Sequence, residues 1–136
     1  MIGKKMKYLL VVGSRSITDY EFIKNTLGKY CNSDTVIVSG GAKGVDTFAE
    51  RYADENNLQK VIMKADWDRY GKRAGYIRNA EMHKFISDKE DKLCIAFWDG
   101  NSKGTAHNFI LAKQYNNPII VLNDKEKEIS DKELER

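Results

Sequence analysis

Apolar positions along this chain come in blocks, and the polar stretches between them carry a helical period. Lys7-Tyr8-Leu9-Leu10-Val11-Val12 is a nearly continuous apolar run, the pattern of a strand covered on both faces. Thr35-Val36-Ile37-Val38, Leu93-Cys94-Ile95-Ala96-Phe97-Trp98 and Pro118-Ile119-Ile120-Val121-Leu122 read the same way, and Leu58 to Met63 makes a more mixed strand. Between the strands, Phe22, Ile23, Leu27 and Tyr30 share one helical face. Thr18-Asp19-Tyr20-Glu21 precedes them as a capping box, with Thr18 as the cap and Glu21 reaching back. Val45, Phe48, Ala49, Tyr52 and Ala53 form a second face. Ile77, Ala80 and Phe85 mark a helix from about Tyr76 to Ile86, and Phe109, Ile110 and Ala112 one opened by Thr105. The alternation predicts one doubly wound, Rossmann-like α/β domain, a five-stranded, mainly parallel sheet with helices on both faces. It is expected over residues 1–123, with a charged tail over 124–136.

Sheets of this kind bind ligands at the carboxyl ends of their strands. Eight of the ten glycines (Gly13, Gly40, Gly41, Gly44, Gly71, Gly75, Gly100 and Gly104) fall in the four loops that follow the first four strands. A set needed only for turns would populate the opposite rim as well, so the bias points to backbone approaching a ligand. The stretch Ser39-Gly40-Gly41-Ala42-Lys43-Gly44-Val45-Asp46 reads as strand end, glycine turn and helix start, whose free N–H groups suit an anion. Lys64 to Gly75, with Trp67, Arg69, Tyr70, Lys72 and Arg73, is a longer connection than a compact domain usually carries. The common nucleotide and nucleophile motifs are missing: there is no G-x-G-x-x-G, and Gly71-Lys72 is followed by Arg73 instead of the Ser or Thr of a P-loop. No G-x-S-x-G elbow occurs either.

Composition narrows the classes. The 136 residues are 41% hydrophobic and 32% charged, an ordinary globular balance. No apolar stretch approaches the roughly 20 residues that cross a bilayer, and Met1 to Met6 lacks a signal-peptide pattern. Cys31 and Cys94 share no metal-ligand spacing, and two histidines, His83 and His107, are too few for a zinc site. A cytoplasmic protein with no metal and no cofactor is expected. The net charge of +3 divides into −2 over residues 124–136 and +5 over the remainder, which fits a phosphate-bearing ligand or weak nucleic-acid contact.

Four motifs stand in order: Gly13-Ser14-Arg15, Ser39 to Asp46, Arg78-Asn79-Ala80-Glu81-Met82, and Trp98 to Thr105. With them the chain resembles the SLOG superfamily of Rossmann-like domains from Lys7 to Leu122. It is most similar to the YpsA-related branch, and more distantly to DprA (Smf) and the Lonely Guy phosphoribohydrolases. The first two motifs look like the GSR and SGGA(K/R)G(I/V)D signatures of DprA and YpsA-like members. Arg78 to Met82 resembles the RKxxM segment of the Lonely Guy enzymes, and Trp98 to Thr105 sits where their PGGxGT loop would be.

The resemblance implies a phosphate or phosphoribosyl group at the Gly104-Thr105 helix start, with Arg15, Arg78 and Lys43 supplying charge. Backbone donors, a hydroxyl and planar guanidinium groups suit phosphate oxygens. The same likeness extends the ligand-binding set to Gly13, Ser14, Ser39, Gly40, Gly41, Gly44, Asp46, Asn79, Trp98, Asp99, Gly100 and Lys103. Arg78 is expected on the first turn of its helix, where a cation opposes the dipole and an anionic ligand would account for it. Asp46 is expected to cap its helix, and His107 to lie on a helix surface. Trp67, Tyr70 and Trp98 are able to stack on a base.

The glutamate that Lonely Guy enzymes carry three residues after the threonine is Asn108 here, and an amide cannot take a proton or stabilise an oxocarbenium ion as a carboxylate does. Glu81 and Asp99 are the remaining catalytic candidates, and spacing singles out neither. The expected function is binding of a nucleotide or nucleotide-derived ligand, as a sensor or binding protein. One alternative is a phosphoribohydrolase acting on nucleoside monophosphates with a relocated acid. Another is DprA-like single-stranded DNA binding through Arg69, Lys72 and Arg73, for which +5 is thin. The expected partner is a small nucleotide-like ligand, with no membrane; a homo-oligomer is left open and nucleic acid is not favoured.

Overall fold

The computed structural model describes residues 6–123, so the charged tail expected over 124–136 lies outside the described residues. In chain order the elements are β1 (Lys7–Gly13), α1 (Tyr20–Tyr30), β2 (Thr35–Ser39), α2 (Val45–Glu55), β3 (Gln59–Ile62) and α3 (Trp67–Tyr70). A 3-10 turn (Gly71–Arg73), α4 (Ala74–Ser87), β4 (Asp91–Phe97), α5 (Lys103–Gln114) and β5 (Ile119–Leu122) complete the fold. The five strands form one sheet in the order β3-β2-β1-β4-β5, and every pairing is parallel.

The blocks of apolar residues follow from helices on both faces. Along β1, Leu9 and Val11 join Ile37, Ile95 and Phe97 beneath Ile23 and Leu27 of α1 and Val45 and Ala49 of α2. Leu10 and Val12 point the other way, with Val38, Cys94, Ala96 and Val121, against Met82 and Ile86 of α4 and Phe109 of α5. A strand buried twice cannot alternate apolar with polar. The strand order reverses between β1 and β4, which opens a crevice at their carboxyl ends.

Local details differ from expectation in five places. Asp19, not Thr18, caps α1: its carboxylate accepts from the Phe22 amide at 3.2 Å, and a charged acceptor there also meets the helix dipole. The stretch Lys64 to Gly75 is mostly helical, with Asp66 capping α3 by accepting from the Arg69 amide at 3.1 Å. Because α4 follows the 3-10 turn directly and starts at Ala74, Arg78 falls in its second turn, and the dipole argument for a ligand lapses. The fully buried face of α4 is Ala74, Asn79, Met82, His83 and Ile86, while Ile77, Ala80 and Phe85 are half-buried. On α5, Ile110 is 67% exposed and the buried face is Thr105, Asn108, Leu111 and Ala112.

Candidate functional site

The crevice beyond β1 and β4 holds a cavity of about 850 Å³, walled by the loops after the first four strands, by α4 and by the start of α5. Its floor is apolar, from Val12 and Met82.

The glycine turn forms one wall and is held from beneath. Ser39 is buried at the end of β2; its hydroxyl donates to Glu50 at 2.7 Å and accepts from the Gly41 amide at 3.2 Å. Gly44, at φ 88°, precedes α2 without any side-chain cap. Asp46 does not cap the helix as expected; its carboxylate accepts from the Ala42 amide at 3.1 Å and is bonded by the Gly40 backbone, closing the turn. Burial pushes this carboxyl up to about 6, against the pull of the Ala42 amide and the Arg78 charge.

Two glycines of the turn serve as seats for cations. A Cβ on Gly40 would lie 2.5 Å from Arg78 Nη1 and 2.7 Å from its Cζ. The guanidinium fills that space, donating from Nη1 to the Gly40 carbonyl at 2.6 Å and from Nε to Asn79 Oδ1 at 3.0 Å. Beside it a Cβ on Gly41 would lie 2.9 Å from Lys64 Cγ. Gly13 is needed for packing, since its Cβ would meet Val45 Cγ2 at 2.5 Å. Gly104 is different. It is exposed, sits in the first turn of α5 without a positive φ, and has nothing within 4 Å of where a Cβ would go. Glycine in a helix costs about 1 kcal/mol against alanine, and no neighbour in the protein requires it.

The opposite wall is a polar lattice joining the loops after β1 and β4. Ser14 is buried; its Oγ accepts from the Asp99 amide at 3.1 Å and lies 3.4 Å from Thr105 Oγ1. Ser102 caps α5, accepting from the Thr105 amide at 3.3 Å while its own hydroxyl donates to Thr105 Oγ1 at 3.1 Å. The N–H groups of Lys103 and Gly104 are left without intrahelical partners. Asp99 accepts from Ser16 Oγ at 2.6 Å and from the Asn101 and Ser102 amides at 2.8 Å each. Burial opposes its charge, but those bonds and that from Ser14 prevail and hold the carboxyl down at about 2.

Beneath the start of α5 runs a buried amide–imidazole chain. His83 is fully buried; its Nδ1 faces Asn117 Nδ2 at 3.0 Å and its Nε2 faces Asn108 Oδ1 at 3.1 Å. An amide nitrogen only donates, so Nδ1 accepts and Nε2 carries the proton. Burial holds this histidine down at about 4, hence neutral at pH 7. Asn108 in turn donates to the Gly104 and Thr105 carbonyls at 3.2 and 3.3 Å. Asn79 also donates to the Gly104 carbonyl, at 3.3 Å.

Of the expected ligand-binding residues, Gly13, Arg15, Gly40, Gly41, Lys43, Asp46, Arg78, Asn79, Asp99, Gly104 and Thr105 line the cavity. Ser14 and Ser39 support it from behind, and Gly44 packs against the Arg15 backbone. Trp98 turns away, its Nε1 donating to the Ser102 carbonyl at 3.0 Å and its ring edge-on to Phe109 at 5.1 Å. Gly100 and Lys103 lie outside the lining. Glu81 is exposed and faces a smaller cleft of about 190 Å³, shared with Arg69 and Tyr70. Lys64, Lys72, Tyr76 and Ser16 join the lining beyond the expected set. Lys64 could have been found, as it lies just past the end of β3 on the ligand-facing edge. Among the described residues no three His, Cys, Asp or Glu side chains gather as a metal site, and no helix is long and apolar enough to span a membrane.

Residues 8–70 match the family described as YAcAr: YspA, cpYpsA-related SLOG family. Gene 61 protein of Mycobacterium phage D29 is 34% identical over 128 residues, covering 88% of this chain and 99% of that protein. The chain belongs to the cpYpsA-related SLOG family. Among solved structures, DNA processing protein A (DprA) from Streptococcus pneumoniae superposes with a TM-score of 0.63 at 19% identity. That match covers 86% of this chain and 50% of the DprA chain, a likeness of fold, so this SLOG domain spans half the length of that protein. The family match takes in the loops after β1 and β2, while Arg78, Asn108 and the start of α5 lie beyond residue 70.

Proposed function

We propose that this SLOG domain binds a nucleotide or nucleotide-derived ligand in the crevice beyond β1 and β4, as a sensor or binding protein. The observation that carries this reading is the charge of the cavity. Arg15, Lys43, Lys64, Lys72 and Arg78 line it against only two carboxylates, Asp46 and Asp99. Both carboxylates are already engaged by backbone amides, and the side chains of Arg15, Lys43, Lys64 and Lys72 have no hydrogen-bond or ion-pair partner among the described residues. Like charges gathered around a partly enclosed space repel one another, and a polyanion relieves that. The phosphate end of the ligand lies over Gly104, where the missing side chain leaves room and the N–H groups of the first turn supply donors.

Binding is favoured over hydrolysis by the state of the candidate acids. Asn108 is fixed on both its amide atoms. Asp99, held near 2 by its bonds, is a weak base, and Glu81 faces the other cleft. The fold shared with DprA raises nucleic acid as a second partner, with Arg69, Lys72 and Arg73 as its contacts, but cations that converge on one cavity suit a small anion better.

Calorimetry and thermal shift with AMP, ADP and NAD test the reading. Saturable binding to at least one is expected, weakened about 30-fold or more in Arg78→Ala and lost in Gly104→Asp. No free base should appear by chromatography after incubation with nucleoside monophosphates, and no mobility shift with oligonucleotides at low salt. Silence from every nucleotide overturns the proposal; oligonucleotide binding in its place would move the function to nucleic acid, with the steep salt dependence that implies.

A further inference from the structure

Among the described residues, Ile62, Trp67, Tyr76 and Ile110 are the exposed large apolar side chains. Two of these, Trp67 and Tyr76, line the cavity. Trp67 is 56% exposed and Tyr76 46%, yet neither ring is loosely placed. Trp67 opens α3, whose first turn is fixed by Asp66. The benzo edge of its indole rests over Gly75, where a Cβ would lie 3.4 Å from Cη2. Tyr76 packs T-shaped with the His107 ring, the centroids 4.8 Å apart. Both rings are therefore held in place while about half their surface stays open. Apolar surface kept in water is a standing cost, and rings held in place lose little freedom when something flat lies against them.

The other aromatic candidates are occupied. Trp98 is bonded to Ser102 and packed on Phe109. Tyr70 has the Arg69 guanidinium 5.1 Å from its ring centre and faces the smaller cleft.

The geometry points to a base-stacking subsite: Trp67 and Tyr76 take the flat face of a nucleobase, while the cations and the α5 start take its phosphates. This deepens, and rests on, the nucleotide reading above. An alkyl chain would satisfy the two rings but not the cations, and a bare polyphosphate would satisfy the cations but not the rings. A nucleotide is the common small molecule that carries both. Stacking tolerates any base, so this wall favours purines over pyrimidines only through their larger face.

The test compares ADP with two probes that lack a base, ribose 5-phosphate and pyrophosphate. Each is titrated by calorimetry into the wild type, Trp67→Phe, Trp67→Ala and Tyr76→Ala, with ADP titrations repeated by tryptophan fluorescence. ADP should quench wild-type fluorescence and leave that of Trp67→Phe largely unchanged, since the remaining Trp98 is turned away from the cavity. Trp67→Ala should lose about tenfold or more in ADP affinity, with Tyr76→Ala losing less and Trp67→Phe least. Affinity for ribose 5-phosphate and pyrophosphate should change less than about twofold in all three variants. If Trp67→Ala weakens all probes alike, or leaves ADP unchanged, the stacking subsite is wrong while the anion site stands. If no probe binds the wild type, the nucleotide reading and this subsite fall together.

Discussion

Replacing Gly40 with alanine probes how the glycine turn builds its site. Gly40 does not adopt a positive φ, so alanine adds a methyl group and no backbone strain. That methyl would lie 2.5, 2.7 and 3.0 Å from Nη1, Cζ and Nε of Arg78, closer than carbon tolerates. The turn is fixed by Asp46 and Ser39, so the guanidinium is the part that moves. It gives up its 2.6 Å bond to the Gly40 carbonyl and its 3.0 Å bond to Asn79. For a half-buried arginine, with solvent screening, that costs about 1 kcal/mol of stability, measurable by urea unfolding and compatible with a folded protein. The effect on ligand should be larger. A guanidinium–phosphate contact contributes about 2–3 kcal/mol, so ADP affinity should fall about 30- to 150-fold by calorimetry. Arg78→Ala should give the same loss, and the double variant no more than either alone, because both changes remove one interaction. Losses that add in the double variant, or full ADP affinity in a folded Gly40→Ala protein, would refute the cation-seat account.

Gly13→Ala should act through packing alone. Its Cβ would fall 2.5 to 2.8 Å from three Val45 atoms, an overpacking cost of about 1–3 kcal/mol in urea unfolding, and Val45→Ala in the same chain should recover a good part of it. Asn108→Asp replaces an amide nitrogen that donates to two carbonyls with an oxygen facing them, beside a neutral buried histidine; a loss of about 2–4 kcal/mol is expected, and wild-type stability would show that the buried chain does not hold α5. The pH dependence combines two opposed groups. Asp46, raised from 3.8 to about 6, contributes stability that is full below pH 4 and lost as pH rises through 6. His83, lowered from 6.5 to about 4, contributes stability that is full above pH 6.5 and lost as pH falls through 4. The two slopes offset between pH 4 and 6, so Asp46→Asn should be less stable relative to the wild type at pH 4 than at pH 7, by about 2–3 kcal/mol; a constant difference across that range would contradict the burial of Asp46.

The strands and their two-sided burial were legible because β1 and β4 cross the middle of the sheet, where the apolar rule has few competitors. The same rule misreads α4. It assigns the core to Ile77, Ala80 and Phe85, whereas the polar Asn79 and His83 are among the buried positions. Their partners are Asn108 and Asn117 and the Gly104 carbonyl, 25 to 34 residues away. A polar residue enters a core only when distant groups satisfy it, and no periodicity encodes those partners. Gly71 and Gly75 read as loop residues and so put Arg78 in the first turn of its helix, yet the 3-10 turn runs straight into α4. Much of the cavity lining was legible for a simpler reason: in a parallel sheet the loops after the strands converge on one edge, whatever the details within them.

The glycines show where such reading needs the third dimension. A glycine-rich loop is ordinarily taken to let backbone approach a ligand. At Gly40 and Gly41 the vacant Cβ positions are instead filled by Arg78 and Lys64, and at Gly13 by Val45. The turn therefore sets the charge of the site by placing side chains that arise 23 and 38 residues later in the chain. Gly104 alone in this group has open space before it and an ordinary helical backbone around it. The two kinds of glycine separate experimentally: a methyl at Gly40 should be relieved by shortening Arg78, at the cost of its charge, whereas a side chain at Gly104 meets nothing in the protein. Gly104→Ala should therefore leave stability unchanged or raise it by up to about 1 kcal/mol, and any loss it causes should appear only when ligand is added.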